Sequence, residues 1–117
     1  MDALGATGCD SVSGYLYIRE STDITNLDGL ANIASVGRSL YIYSNDALTN
    51  LDGLANLTSV GGSGGFLYIE NNDALTNLDG LANLTSVGSD LSINNNDALT
   101  DLDGLANLVS VGDSLRI

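Results

Sequence analysis

Carboxylates are the residues of this chain with both the numbers and the spacing to do chemistry. Fifteen Asp and Glu stand against three Arg and no Lys or His, for a formal net charge of −12. Asp28, Asp52, Asp79 and Asp103 recur in Leu-Asp-Gly-Leu, and Asp46, Asp73 and Asp97 in Asn-Asp-Ala-Leu. Carboxylates at a fixed separation can hydrolyse glycosides, and carboxylates in a column can take a hard cation. The first chemistry is disfavoured because an active site normally breaks repeat symmetry with a singular constellation. The second leaves calcium as a weak candidate at Asp46, Asp73, Asp97, Asp52, Asp79 and Asp103, since the compact Asp-x-Asp-x-Asp-Gly loop is missing. The simpler reading of Asp in Leu-Asp-Gly-Leu is the N-cap of a short helical turn.

The rest of the composition excludes more than it suggests. With no His and a single Cys, Cys9, a zinc site has no usable ligand set and His-dependent nucleophilic catalysis has no base. No enzyme activity and no other cofactor are expected. The negative field opposes approach to phosphates, so nucleic acid is not an expected partner, and anionic membrane surfaces are disfavoured on the same ground. No apolar run is long enough to span a bilayer, and "MDALGATGCD" lacks the basic and apolar regions of a signal peptide.

The elements that position these residues come from a repeat. Leu-x-Ile recurs at Leu16, Leu40, Leu67, Leu91 and Leu115, at intervals of 24, 27, 24 and 24 residues, and the long interval contains the insertion "GGSGG" at 61–65. The unit is a 24-residue coil. Periods of this size belong to solenoids, whose coils bury their apolar side only by stacking. The chain therefore reads as one solenoid domain over 1–117: an N-terminal half-coil at 1–15, coils starting at Leu16, Leu40, Leu67 and Leu91, and the start of a further coil at 112–117.

Inside a coil, "SLYIY" alternates as a strand does, whereas Leu51, Leu54, Leu57 and Val60 are spaced by three, as in a chain bending round a narrow core or making a short helical turn. One strand per coil implies one main parallel sheet with short helical or irregular turns. Asn45, Asn72 and Asn96 follow the strand, with Ser21 in their place in the first coil, and read as an inward structural ladder that satisfies the bend. Thr25, Thr49, Thr76 and Thr100 form a further column, read as solvent-facing residues of good β propensity.

If Leu16 and Ile18 point inward, the alternate strand positions point outward. Those positions hold Tyr15, Tyr17 and Arg19; Ser39, Tyr41 and Tyr43; Phe66, Tyr68 and Glu70; and Asp90, Ser92 and Asn94. All five Tyr and the only Phe thus share one face, and one half of it. Tyr15, Tyr17, Tyr41, Tyr43, Phe66 and Tyr68 are accordingly either a stabilising cross-strand ladder or a flat aromatic platform for a protein or glycan. The insertion leads into Phe66 and would edge such a site.

Two known families share these features. The Leu-x-Ile strand followed by Asn resembles a leucine-rich repeat, but that pattern places Leu two residues after the Asn, and here Leu48 comes three after Asn45. "CDSVSGYLYI" resembles the Cys-x-x-Val/Ile-x-Gly-x-Leu-x-Ile opening of the receptor L domain, through Cys9, Val12, Gly14, Leu16 and Ile18. "SVGRSLYI", "SVGSDLSI" and "SVGDSLRI" repeat its second half. That resemblance implies a mainly β, right-handed parallel β-solenoid that is extracellular and acts by binding. The regularity of the coils resembles a bacterial or other microbial surface protein more than an animal receptor. Cys9 takes the place of Ile33, Leu57, Leu84 and Leu108, a core position, while the resemblance allows it a disulfide partner further upstream.

The expected function is a non-enzymatic binding or adhesion module at the cell surface, presenting an aromatic sheet face to a protein or glycan. The alternative is a structural scaffold that self-associates end to end through the strand edges of its outer coils.

Overall fold

A computed structural model describes residues 11–62 and 64–117, so Cys9 lies outside the described residues. Each coil carries a long and a short strand. The short strands are β1 (Ser11–Val12), β3 (Ser35–Val36), β5 (Ser59–Val60), β7 (Ser86–Val87) and β9 (Ser110–Val111). The long ones are β2 (Leu16–Arg19), β4 (Leu40–Tyr43), β6 (Leu67–Glu70), β8 (Leu91–Asn94) and β10 (Leu115–Arg116). They pair in parallel in the orders β1-β3-β5-β7-β9 and β10-β8-β6-β4-β2, giving two five-stranded sheets. The fold is a mainly β, parallel solenoid.

Register follows the repeat without slippage. Leu16 lies opposite Leu40, Leu40 opposite Leu67, Leu67 opposite Leu91 and Leu91 opposite Leu115. A slip of one residue would turn every Leu and Ile out of the core, and that penalty holds the pairing. A second, minor sheet accompanies the main one that the sequence led us to expect. Its strands are only Ser-Val dipeptides, too short for alternation to signal.

The spacing of three has its cause in a 3₁₀ turn per coil, at Asp28–Leu30, Asp52–Leu54, Asp79–Leu81 and Asp103–Leu105. Three residues per turn place i and i+3 on one side. Leu54 N–H donates to Leu51 O at 2.9 Å and Leu57 N–H to Leu54 O at 2.9 Å, and all three side chains are fully buried. Each such Leu contributes roughly 1.5–3 kcal/mol on burial.

The Asp of Leu-Asp-Gly-Leu is not the cap of this turn, contrary to the sequence reading. It is the first residue of the turn, Leu51 occupies the cap position, and no side chain there makes a capping bond. The work is done two residues earlier: Asn50 Oδ1 accepts the Asp52 N–H at 3.0 Å, and Asn26, Asn77 and Asp101 do the same for Asp28, Asp79 and Asp103. This is the short-range turn that Asn and Asp side chains make with their own backbone.

The Gly of the same motif is dictated by stacking. A Cβ on Gly53, Gly80 or Gly104 would fall on the carbonyl of Leu27, Leu51 or Leu78 in the preceding coil, whereas one on Gly29 meets no described atom. The residue after each long strand, Glu20, Ser44, Asn71 or Asn95, has φ between 54° and 56°, which turns the chain sharply into the Asn column. Asn tolerates this left-handed region best of the three types present. The insertion makes its own turn, with Gly61 at φ 80° and Gly64 at φ 92°, and leaves the strand pairs on either side in register.

Two glycine substitutions separate stacking from intrinsic propensity. Gly80→Ala is expected to lower unfolding stability by at least ~2 kcal/mol in a urea titration, because backbone must move on both coils. Gly29→Ala, the same chemical change in the first coil, where the new Cβ meets no described atom, is expected to cost less than Gly80→Ala in the same titration.

Candidate binding face

The long-strand sheet is held at its exit by a buried amide ladder. Asn45 Nδ2 donates to Asn72 Oδ1 at 3.1 Å and Asn72 Nδ2 to Asn96 Oδ1 at 3.1 Å. The same oxygens accept the backbone N–H of Asn45 and of Asn72. Each Nδ2 also reaches back to the preceding strand, at Ile18 O, Ile42 O and Ile69 O, at 2.8–2.9 Å. The bends at Asn45 and Asn72 are thus tied to the coils on both sides, and that at Asn96 to the coil before it. The ladder ends at Asn45 Oδ1, which is buried and without a partner. Ser21 stands at that place in the first coil, and its Oγ bonds locally to the N–H groups of Asp23 and Ile24 instead.

On the outer face of this sheet the six aromatic residues come together. Tyr17 and Tyr41 are opposite one another in register, as are Tyr41 and Tyr68. Tyr17 and Tyr41 stack with centroids 4.8 Å apart and planes 4° from parallel, which is the spacing of the strands themselves. Tyr41 and Tyr68 are tilted at 5.2 Å, Phe66 lies parallel to Tyr68 at 5.4 Å, and Tyr15 meets Tyr17 edge-on at 6.2 Å. The Arg19 guanidinium sits over Tyr17 at 4.9 Å from the ring centre and donates to the Tyr43 hydroxyl at 3.2 Å.

This geometry changes what the face can do. Rings stacked along the solenoid axis spend their faces on one another, each pair contributing about 0.5–1.5 kcal/mol beyond area burial. The column is a packed ladder in which Tyr17 and Tyr41 lie face to face and Tyr41 and Tyr68 meet at a tilt. Tyr15 and Tyr17 remain the most open, at 54% and 41% exposed, while Tyr41, Tyr43, Phe66 and Tyr68 are half-buried. Ser39 and Ser92, also on this face, are buried; the Ser39 Oγ accepts the Phe66 N–H at 3.0 Å where the insertion rejoins the coil.

Beyond Tyr68 the ladder stops. Its in-register neighbour is Ser92, and Ser92 is followed by Arg116. The step from a phenol to a hydroxymethyl leaves a cavity of about 270 Å³ lined by Tyr68, Glu70, Asp90, Ser92, Asn94 and Arg116. Sequence reading placed all of these but Arg116 on the face and did not foresee the cavity; the signal was the change from Tyr to Ser in an otherwise repeating column.

The other columns have different fates. Among the described residues no group of three or more Asp, Glu or Cys comes together to hold a metal ion, so Asp46, Asp73 and Asp97 are not drawn into one cluster with Asp52, Asp79 and Asp103. The Thr column lies outside both sheets and ties coils together: Thr49 Oγ1 donates to Thr25 O, and Thr76 Oγ1 to Thr49 O. An unanticipated column does the same, as Asn56, Asn83 and Asn107 donate to Ala31, Ala55 and Ala82 carbonyls at 2.6–2.7 Å. At the last coil, Ile93, Asn96, Leu99, Leu102 and Ile117 border a cavity of about 290 Å³, with Leu115 and Ile117 exposed. No described helix is long and apolar enough to cross a membrane.

Burial holds the Tyr68 phenol above the ordinary tyrosine range, assisted by Tyr41, Asp90 and Glu70 around it. A raised folded-state value means that this contribution to stability is complete below the ordinary phenol pKa of about 10 and is lost as pH rises through the raised value. Tyrosinate absorbance in an alkaline titration is expected to show a late-ionising component that Tyr68→Phe removes. A titration curve unchanged in shape by that substitution would contradict the assignment.

Comparison with known proteins agrees with this geometry. The family model described as "Receptor L domain" matches residues 8–80. No curated protein and no solved structure gives a significant match. The matched segment takes in β1 to β6 and the first two 3₁₀ turns and ends within the third turn. The chain belongs to the receptor L domain family.

Proposed function

We infer that this chain, as a receptor L domain, is a non-catalytic ligand-binding module of the kind found in extracellular receptor ectodomains. We propose that this chain is such a module working at a cell surface, and that it meets its protein or glycan partner with the outer face of the β2-β4-β6-β8-β10 sheet. The observation that carries this reading is the confinement of every Tyr and the only Phe to that face, around β2, β4 and β6. Fold stability alone does not ask for it, because β8 pairs in the same register with Ser and Asn at the matching positions. Tyr is favoured in recognition surfaces because it offers a large, rigid contact and a hydroxyl at little cost in conformational entropy.

Charge shapes the partner. At −12 the chain attracts basic or neutral surfaces and repels acidic ones, and long-range attraction of this kind raises association rates at low salt. Arg19 is the local exception, set among Tyr17 and Tyr43.

The double substitution Tyr17→Ser with Tyr41→Ser tests the face. Circular dichroism is expected to show a folded solenoid, since Tyr68 already faces Ser92 across a pair without loss of register. Capture on protein and glycan arrays is expected to fall at least tenfold, an amount that corresponds to about 1.4 kcal/mol. Undiminished capture by the folded variant would remove the aromatic face from the binding reaction.

A further inference from the structure

We infer that the cavity where the aromatic ladder ends is a binding site for a single neutral sugar ring. The inference rests on the reading of this sheet face as the binding face, and names the chemical class that one part of it takes.

The site is built by the coil stack itself. Asp90, Ser92 and Asn94 of β8 and its lead-in form the floor, Tyr68 and Glu70 of β6 one wall, and Arg116 of β10 the other. Ser92, only 4% exposed although it lies on the outer face, is bonded to the Asn94 and Glu70 side chains beside it. The polar groups of the cavity are already fixed in place. Asn94 Nδ2 donates to Ser92 Oγ at 2.6 Å and to Glu70 Oε1 at 3.3 Å, and Ser92 Oγ donates to the same Oε1 at 3.4 Å. Asp90 Oδ1 accepts the Ser114 N–H at 3.1 Å. Side chains held by such bonds need little ordering when a ligand arrives, which saves affinity.

The chemistry selects the ligand. A lone cation is attracted by Glu70 and Asp90 but meets the Arg116 guanidinium across a small space. A lone anion meets two carboxylates and the negative field of the whole chain. A polyhydroxylated ring has neither difficulty, because each hydroxyl both donates and accepts. It finds acceptors in the Glu70 and Asp90 carboxylates, donors in Arg116 and the Tyr68 hydroxyl, and an aromatic wall for its C–H groups. A volume of about 270 Å³ suits one ring and not an extended chain, lying just below the roughly 300–1,000 Å³ of drug-sized sites. The bonds that fix Glu70 both fall on Oε1, so Oε2 is its remaining acceptor.

The test uses isotope-labelled full-length chain titrated with glucose, galactose, mannose and N-acetylglucosamine at millimolar concentrations, read by amide chemical shifts. At least one sugar is expected to shift the amides of Ser92, Asn94 and Arg116 in a saturable way. Ser92→Tyr continues the ladder into the cavity and is expected to abolish those shifts. Glu70→Gln keeps the shape and is expected to weaken binding about tenfold, as loss of a charged acceptor does; it carries the test if Ser92→Tyr fails to fold. No saturable response to any of the four sugars, an equal response in a folded Ser92→Tyr, or a response to glycine in place of the sugars would overturn the assignment. Should it be overturned while Tyr17→Ser with Tyr41→Ser still abolishes array capture, the sheet face remains the binding face and only the sugar site falls.

Discussion

The hydrogen-bonded stack of Asn45, Asn72 and Asn96 is the interaction on which the rest of this solenoid depends. At the end of each long strand the backbone turns through a left-handed residue and leaves polar groups inside a narrow apolar core. An unpaired buried group there costs about 1–3 kcal/mol, and the Asn side chain removes that cost by bonding to the coil before and the coil after. One amide thereby fixes the bend, the distance between coils and their register. With register fixed, Leu and Ile columns close the core, and the outer residues of successive strands fall into line as Tyr on Tyr.

Much of this was legible in the sequence for a simple reason: a solenoid repeats its contacts at the period of its sequence. Leu-x-Ile located every long strand, and the spacing of Leu51, Leu54, Leu57 and Val60 marked the inward side before the 3₁₀ turn that causes it was seen. The Ser-Val strands were hidden because two residues carry no periodicity. Asp52 drew attention away from Asn50 because both are good turn residues, and only the backbone shows which oxygen reaches the N–H. The columns of Asn56 and Thr49 were invisible as ties, since their bonds run to carbonyls of another coil.

The binding face shows where pattern reading stops. Alternation placed the aromatic residues on one side of one sheet, but ring orientation comes from packing. Neighbouring strands bring the rings into contact, and Tyr17 and Tyr41 then stack face to face while Tyr41 and Tyr68 meet at a tilt. The same contact makes the end of the ladder consequential. Where Tyr gives way to Ser92, a cavity opens with carboxylates, an amide and a guanidinium around it. The repeat supplies the frame, and the end of its Tyr column supplies the cavity on which the proposed sugar site rests.

The account stands most directly on the ladder, and Asn72 is its central rung. Replacement by Ala strips the Asn45 N–H and the Ile42 carbonyl of their Asn72 partners and leaves a void between coils. Urea unfolding followed by circular dichroism is predicted to show a loss of at least ~2 kcal/mol, with the tyrosine near-ultraviolet signal weakened as the stacked rings lose register. An Asn72→Ala protein within ~0.5 kcal/mol of the unsubstituted chain, with that signal intact, would contradict the claim that the amide ladder sets the solenoid and its face.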